Sequence, residues 1–177
     1  MPELNEYLPK AFLERQGQDL PAVLKSLQVA RDGLSTRLEH LTEGLDIPIR
    51  PDAWSPAQII DHLNGANAFF AKCLERTVQG KPILTMPRGQ ITKDGRAISP
   101  AGEPRADRGA SDLLRDHLAA FAALETGAQA VAPGMLETVT VIQSFFGPLT
   151  ALELLQLAAW HTKHHTAQIS DQISDRR

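Results

Sequence analysis

Three of the chain's six histidines lie within five positions, in the segment AAWHTKHHTAQI. His161 and His165 are spaced i, i+4, so on a helix their rings lie one turn apart on the same face. Such a pair is typical of zinc sites, because both imidazoles can converge on one ion. Helical phasing places His161 and His165 at the margin of the apolar side that includes Ile169, whereas His164 lies about 60° the other way. We therefore expect the first two to point inward and His164 to lean towards solvent.

A second apolar stripe also contains a histidine. His62 lies among Ile59, Leu63, Phe69 and Phe70, all within roughly 120° of it on a helix. A buried imidazole without a partner costs about 1 to 3 kcal/mol, so each inward histidine needs either a hydrogen bond or a metal. Two interpretations stay open at this point: core histidines bonded to carbonyl groups, or three ligands from two helices around one ion.

The remaining candidate ligands lack such partners. His40 and His117 lie on other helices without a matching histidine, and we expect them to be surface or structural residues. Cys73 is a soft ligand in principle, but three helical turns, about 16 Å, separate it from His62. We expect Cys73 to lie in the core.

Four segments carry the helical period that would position these residues. Ser55 with Gln58, and Thr150 with Glu153, are capping-box patterns that predict the starts of the second and last helices. Pro56 suits the first helical position, and Gly80 ends the second segment. The predicted helices cover about 20–45, 55–79, 111–126 and 150–174.

Two connections interrupt the helices. A loop of about 81–110 is rich in glycine, proline and charge, which is typical of functional or disordered connections. Its cations either receive a small anion over the site or simply solvate the loop: Lys81, Arg88, Lys93, Arg96, Arg105 and Arg108. The run TVTVI is prone to β-structure, but one strand cannot make a sheet. The sequence predicts an all-α four-helix bundle with long connections, in a single domain over 1–177.

The composition excludes some classes of function. The net charge of -3 gives no general attraction to nucleic acid or to an anionic membrane. The single cysteine excludes an intrachain disulfide framework, and no apolar run suits a signal peptide or a membrane span. We expect a cytoplasmic protein that acts on a small molecule and binds neither nucleic acid nor membrane.

These motifs resemble a known family. WSPAQIIDHL on one helix and FFGPLTALELLQLAAWHTKHHTAQI on the last are similar to the DinB/YfiT-like superfamily of metal-binding four-helix bundles. The matching positions lie in two groups: Trp54, Ser55, His62 and Leu63, then Phe146, Gly147, Leu149, Thr150, His161, His164, His165, Gln168 and Ile169. The loop 81–110 does not align with the family pattern.

The resemblance implies that His62, His161 and His165 bind one divalent metal, with His164 outside the ligand set. Three neutral imidazoles leave a coordination position for water or a thiol, whose pKa a cation lowers. Zinc and nickel are the leading candidates, followed by iron, copper and manganese. No side chain stands out as a general base, so the catalytic group is expected to be the water or thiol on the metal.

Several residues next to the ligands have alternative roles. Gln58 and Gln168 lie on nearly the same faces as His62 and His161, so each either orients an imidazole, contacts a ligand, or is a polar residue at the bundle's edge. The superfamily resemblance implies thiol S-transfer as the leading hypothesis, with metal-dependent hydrolysis next. A non-catalytic, metal-stabilised module for binding or dimerisation is the hypothesis from another class. We expect a homodimer, which is compatible with all three hypotheses.

Overall fold

Four long α-helices form the body of the computed structural model, which describes residues 6–41, 43–48, 50, 53–93, 97–98 and 102–174. They are α1 (Leu20–His40), α2 (Pro56–Val78), α3 (Ala110–Ala130) and α4 (Ala151–Ser174). α2 packs chiefly against α3, and α1 chiefly against α4. The predicted four-helix bundle is confirmed. Among the described residues, no helix combines the length and the apolar character needed to cross a membrane.

Local capping interactions set the helix starts that the sequence predicted. The Ser55 hydroxyl accepts from the Gln58 backbone N–H at 3.3 Å, and the Gln58 side chain accepts from the Ser55 N–H at 3.0 Å. Thr150 and Glu153 make the same reciprocal pair, at 3.2 and 2.9 Å. Both capping boxes satisfy N–H groups that a helix start leaves without an intrahelical partner.

Two helix ends differ from the sequence prediction. α1 ends at His40 rather than near Leu45, since the following residue, Leu41, has a non-helical ψ of 88°, and Gly44 further on adopts a left-handed φ of 72°. α3 continues to Ala130 rather than ending near 126. Gly127 lies inside α3 and packs closely against Leu74, since a Cβ at this glycine would lie 3.2 Å from the Leu74 Cβ. That glycine permits close packing of α2 and α3 and does not end the helix.

The expectation that TVTVI forms no sheet is wrong. β4 (Val139–Gln143) pairs antiparallel with β5 (Gly147–Thr150) and parallel with β1 (Leu84–Thr85). Strands β2 (Gln90–Ile91) and β3 (Ala97–Ile98) form a separate antiparallel pair. The partner strands have two to four residues and include Gly147 and Pro148, so they carry no recognisable alternation of their own.

The bundle has two buried apolar clusters. The larger one includes Leu27, Leu74, Phe121 and Leu154, all fully buried, and extends to Val141 and Leu149 of the small sheet. The smaller one joins α1, α2, α3 and α4 through Leu34, Ile59, Leu63, Leu113 and Ile169. Cys73 is 1% exposed in the larger cluster, which confirms its predicted place in the core. The sheet therefore packs against the helices as part of the core.

Candidate metal centre

Three histidines from two helices meet at one point of the bundle. His62 lies on α2, and His161 and His165 lie one turn apart on α4. The Nε2 atom of His161 is 3.2 Å from that of His62 and 3.1 Å from that of His165. One nitrogen from each residue lies within 4.8 Å of those of the other two. The structure thus brings together the three residues whose types and spacing suggested a metal site.

Burial keeps these imidazoles in their neutral form. Desolvation lowers the pKa of His62, and it lowers the pKa of His161 well below the ordinary value, with the charges of the neighbouring histidines acting in the same direction. For His165, burial lowers the pKa to about 4, although the hydrogen bond that its Nδ1 donates to Gln168 opposes this shift. A neutral imidazole carries a lone pair on one ring nitrogen, which is the form that ligates a metal.

The spacing of the three nitrogens fits a divalent ion. Two nitrogen ligands at about 2.0 to 2.1 Å from a tetrahedral ion lie roughly 3.3 Å from each other. The two short distances between Nε2 atoms, 3.2 and 3.1 Å, are close to that value. Three converging lone pairs repel one another unless a proton or a cation lies between them, so the donor set suits a cation. These residues could hold a metal ion.

One hydrogen bond orients a ring of the cluster. Gln168 Oε1 lies 2.7 Å from His165 Nδ1 and is an acceptor, so Nδ1 carries the proton and Nε2 keeps its lone pair towards the cluster. Gln58 does not take such a position. Its amide bonds the Ser55 N–H and the Pro104 carbonyl, so it caps α2 and holds a loop in place. The Nδ1 of His161 is buried without a partner in the described part of the chain.

The loop before α3 is fixed beside His62. Asp61 accepts from the Arg105 backbone N–H at 2.9 Å and from Arg108 at 3.2 Å. Arg108 also pairs with Asp116 of α3, so the same guanidinium joins the loop to two helices. Pro104, whose carbonyl accepts from Gln58, lines the cavity beside the histidines. These contacts make the described end of the long loop a wall of the site.

The other histidines lie outside the cluster. His164 is exposed, and its ring stacks on Trp160 with ring centroids 5.1 Å apart and an interplanar angle of 13°. His117 is fully buried in α3, where Nε2 lies 3.1 Å from the Arg31 carbonyl and burial lowers its pKa. It is therefore structural. His40 is exposed, with Nδ1 2.7 Å from the Thr36 carbonyl.

A cavity of about 620 Å³ opens onto the three histidines. Its walls are largely apolar and include six aromatic side chains, which come from the segment before α2, from α2, from α4 and from the hairpin between β4 and β5: Trp54, Phe69, Phe70, Phe145, Phe146 and Trp160. Ligand sites in proteins commonly have this size and apolar character. The site combines a polar, cation-binding point with an apolar chamber for a small molecule.

For the loop cations the sequence left two interpretations open, anion binding and solvation of the loop, and the structure shows side-chain partners for Arg88, Arg105 and Arg108. Arg105 pairs with Asp107 at 3.0 Å, and Arg88 lies 3.7 Å from the centroid of the Tyr7 ring. No lysine or arginine lines the cavity within the described ranges. Arg96 lies outside the described residues. Arg108 supports the wall of the cavity through Asp61, and none of the described loop cations lines the cavity.

A family model and several relatives match the chain. The model described as the DinB superfamily matches residues 13–169, which include both helices of the histidine cluster. The chain belongs to the DinB superfamily. A protein of Geobacillus kaustophilus (strain HTA426) named "putative metal-dependent hydrolase" is 28% identical over 173 residues, covering 92% of this chain and 86% of that protein.

Solved structures share the DinB-type fold. TT2238, described as a four-helix bundle protein, matches with a TM-score of 0.63 and 21% identity over 86% of this chain and 99% of its own. YfiT from Bacillus subtilis, described as "a probable metal-dependent hydrolase with an unusual four-helix bundle topology", matches with a TM-score of 0.61 and 18% identity. That match covers 98% of this chain and 95% of YfiT.

Some residues of this DinB-superfamily site gave no signal as candidates. Leu8, Met86 and Phe145 line the cavity, although they are far apart in the sequence and apolar residues are common. Gly65 also lines it, on α2 one turn after His62. Its place inside a predicted helix was the one available signal, because an isolated helical glycine usually has a packing or functional reason.

Proposed function

We propose that the protein is a metal-dependent hydrolase in which His62, His161 and His165 hold one divalent ion. The observation that carries this proposal is the convergence of three neutral imidazole nitrogens, with neighbouring pairs 3.1 and 3.2 Å apart, beside a largely apolar cavity. The name of the relative from Geobacillus kaustophilus supports the same class of reaction. Zinc and nickel are the proposed ions, since both accept imidazole ligands.

Each part of the site has a role in this proposal. A divalent ion on three imidazoles supplies a Lewis acid that lowers the pKa of a water or thiol at its open position. Gln168 holds His165 in the tautomer whose Nε2 points to the cluster. The aromatic side chains of the wall provide apolar surface against which a small substrate can pack. Asp61 is paired with Arg108 and supports the wall.

Thiol S-transfer is the second candidate and uses the same ligands. The cavity of about 620 Å³ is large enough for a small thiol together with an electrophile, which favours this reaction as an alternative. A thiol that carries carboxylates finds no lysine or arginine among the described lining residues. For that reason we place activation of water before activation of an anionic thiol.

Metal content tests the ligand set. We expect about one divalent ion per chain in untagged protein and its loss in His62→Ala, His161→Ala and His165→Ala. His164→Ala is the matched control, because His164 is exposed and stacks on Trp160 outside the cluster. Elemental analysis of the four variants gives the result directly. Equal loss of metal in all four would contradict the ligand assignment.

Turnover then distinguishes the reactions. Metal-stripped and reconstituted protein are compared on neutral nitrophenyl esters, and on a chlorodinitrobenzene electrophile with cysteine or glutathione. Hydrolysis that needs the metal but no thiol supports the hydrolase, and turnover that needs both supports S-transfer. Metal binding without any metal-dependent turnover would favour a non-catalytic module in which the ion contributes only stability.

A further inference from the structure

One residue on the cavity wall has no side chain although nothing requires its absence. Gly65 lies inside α2, is exposed, and lines the cavity one turn after His62. A Cβ added there would meet no heavy atom within 4 Å. Its φ is not among the positive values found for other glycines of the described chain. Neither the backbone conformation nor close packing therefore demands glycine at this position.

Two other helical glycines serve as comparisons, one that packing requires and one that it does not. Gly127 is needed for packing, since an added Cβ would lie 3.2 Å from Leu74. Gly33 in α1 resembles Gly65 in being exposed, with no atom within 4 Å of an added Cβ, but it does not line the cavity. Glycine lowers helix stability relative to alanine at such positions. What Gly65 gains in return is free space beside His62.

The residues around this space indicate which chemical groups of a ligand fit there. Ala66, Phe69 and other apolar side chains form the neighbouring wall. The charged residues of the lining, within the described ranges, are Asp61 and Glu103, and both are acidic. Asp61 is paired with Arg108, so away from the three histidines the cavity wall presents no cation to an anionic group. An anion buried against that part of the wall would stay unpaired, whereas an apolar group would displace water from aromatic surface.

We propose that the substrate of this site carries an uncharged apolar group that lies against Gly65, and that the missing side chain at this position determines which groups enter. This inference rests on the proposed function for the identity of the site, and it adds the substrate class. A longer side chain at position 65 would occupy the space next to the histidines. It would therefore exclude the substrate without disturbing the helix.

Ligand binding to the cavity can be measured without any turnover. The chain has two tryptophans, Trp54 and Trp160, and both line the cavity. Energy transfer from tryptophan to N-phenyl-1-naphthylamine, a neutral aromatic dye, therefore reports binding near the site. Anilinonaphthalene sulfonate is nearly the same molecule with one negative charge. Both dyes are titrated into full-length protein as purified, and again after chelation to remove contact between sulfonate and metal.

Variants at Gly65 and Gly33 compare the two helical glycines at which an added Cβ meets no heavy atom within 4 Å. We expect Gly65→Leu to weaken binding of the neutral dye by about tenfold or more, because the new side chain occupies the ligand's space. Gly33→Leu should leave the dye affinity unchanged. Both substitutions should raise the melting temperature by about 2 to 4 °C, since each replaces a helical glycine without a clash. In the chelated wild type, where no metal can contact the sulfonate, we expect the sulfonate to bind about tenfold or more weakly than the neutral dye.

Two outcomes would overturn the inference. Equal affinity of Gly65→Leu and Gly33→Leu for the neutral dye would show that position 65 does not control the space. Equal binding of the sulfonate and the neutral dye would show that the cavity does not select against negative charge. Failure of the proposed function is separately visible, as absence of bound metal or of metal-dependent turnover while the dye results hold.

Discussion

Acidification of the metal-free protein should reveal the buried histidines as a loss of stability. Burial lowers the pKa of His165 from the ordinary 6.5 to about 4. Because the folded state binds the proton less readily than the unfolded chain, this residue favours folding fully above pH 6.5. That contribution falls as the pH decreases from 6.5 towards 4, where the unfolded chain is protonated and the folded protein is not.

The size of the effect follows from this shift. Between pH 8 and pH 5, a histidine with these two pKa values lowers the free energy of unfolding by about 2 kcal/mol. His62 and His161 act in the same direction, since burial lowers the pKa of both. Protonation of exposed carboxylates contributes as well, but equally in a variant that lacks only His165. The difference between wild type and that variant in the pH dependence of unfolding free energy therefore reports the contribution of His165.

Urea unfolding in the presence of a chelator measures this difference. We expect His165→Gln to lose about 2 kcal/mol less than the wild type between pH 8 and pH 5. Gly33→Ala is a control that changes no titratable group, so its stability should shift by the same amount at both pH values. With metal present, the wild type should lose stability more steeply, because protons compete with the ion for the imidazoles.

The reasoning is refuted if metal-free wild type and His165→Gln lose the same stability on acidification. That result would mean that His165 is protonated as easily in the folded protein as in the unfolded chain. The burial of the ring and its place beside His161 would then have no effect on its charge. Burial could then no longer explain why His165 is neutral and directs the Nε2 lone pair to the cluster.

Three further perturbations test other parts of the structure. Gln168→Leu should lower metal affinity by about 10 to 100-fold, because His165 loses the acceptor at its Nδ1; unchanged affinity in a chelator competition would exclude this orienting role. Asp61→Asn should lower the free energy of unfolding by about 1 to 2 kcal/mol, because it removes the ion pair with Arg108. Trypsin should then cleave faster after Arg108, and an unchanged digestion rate would contradict the proposal that Asp61 holds this loop in place. Phe121→Ala should cost about 3 to 5 kcal/mol in urea unfolding, since this ring is fully buried; a cost below about 1 kcal/mol would place it outside the core.

The sequence predicted the features that depend on neighbouring residues. The two capping boxes join residues three positions apart, and the structure contains both sets of hydrogen bonds. The pair His161 and His165 is likewise set by the pitch of a single helix. Apolar periodicity gave the bundle, since each amphipathic helix must bury one face against the others. The same periodicity predicted that Cys73 lies in the core.

The sequence did not predict the short strands or the end of α1, because these features depend on the surroundings of each residue in the folded protein. β1 pairs with β4 across a separation of more than 50 residues, and neither the register nor the partner can be found from two residues of sequence. Gly44 and Gly127 look alike in the sequence, yet the first lies in the loop after α1 with a left-handed φ and the second lies inside α3 and permits contact with Leu74. The difference lies in what surrounds each glycine.

The sequence by itself therefore determined the helices, their apolar faces and the spacing of the paired histidines, because these depend on contacts within about one turn. Only the tertiary structure decided that His62 lies 3.2 Å from His161, 99 positions along the chain, since this depends on how α2 packs against α4. It also decided that the Gln58 amide bonds the Pro104 carbonyl of the loop while Gln168 bonds an imidazole. Long-range packing selects one partner among chemically equivalent ones, and local propensity carries no information about that choice.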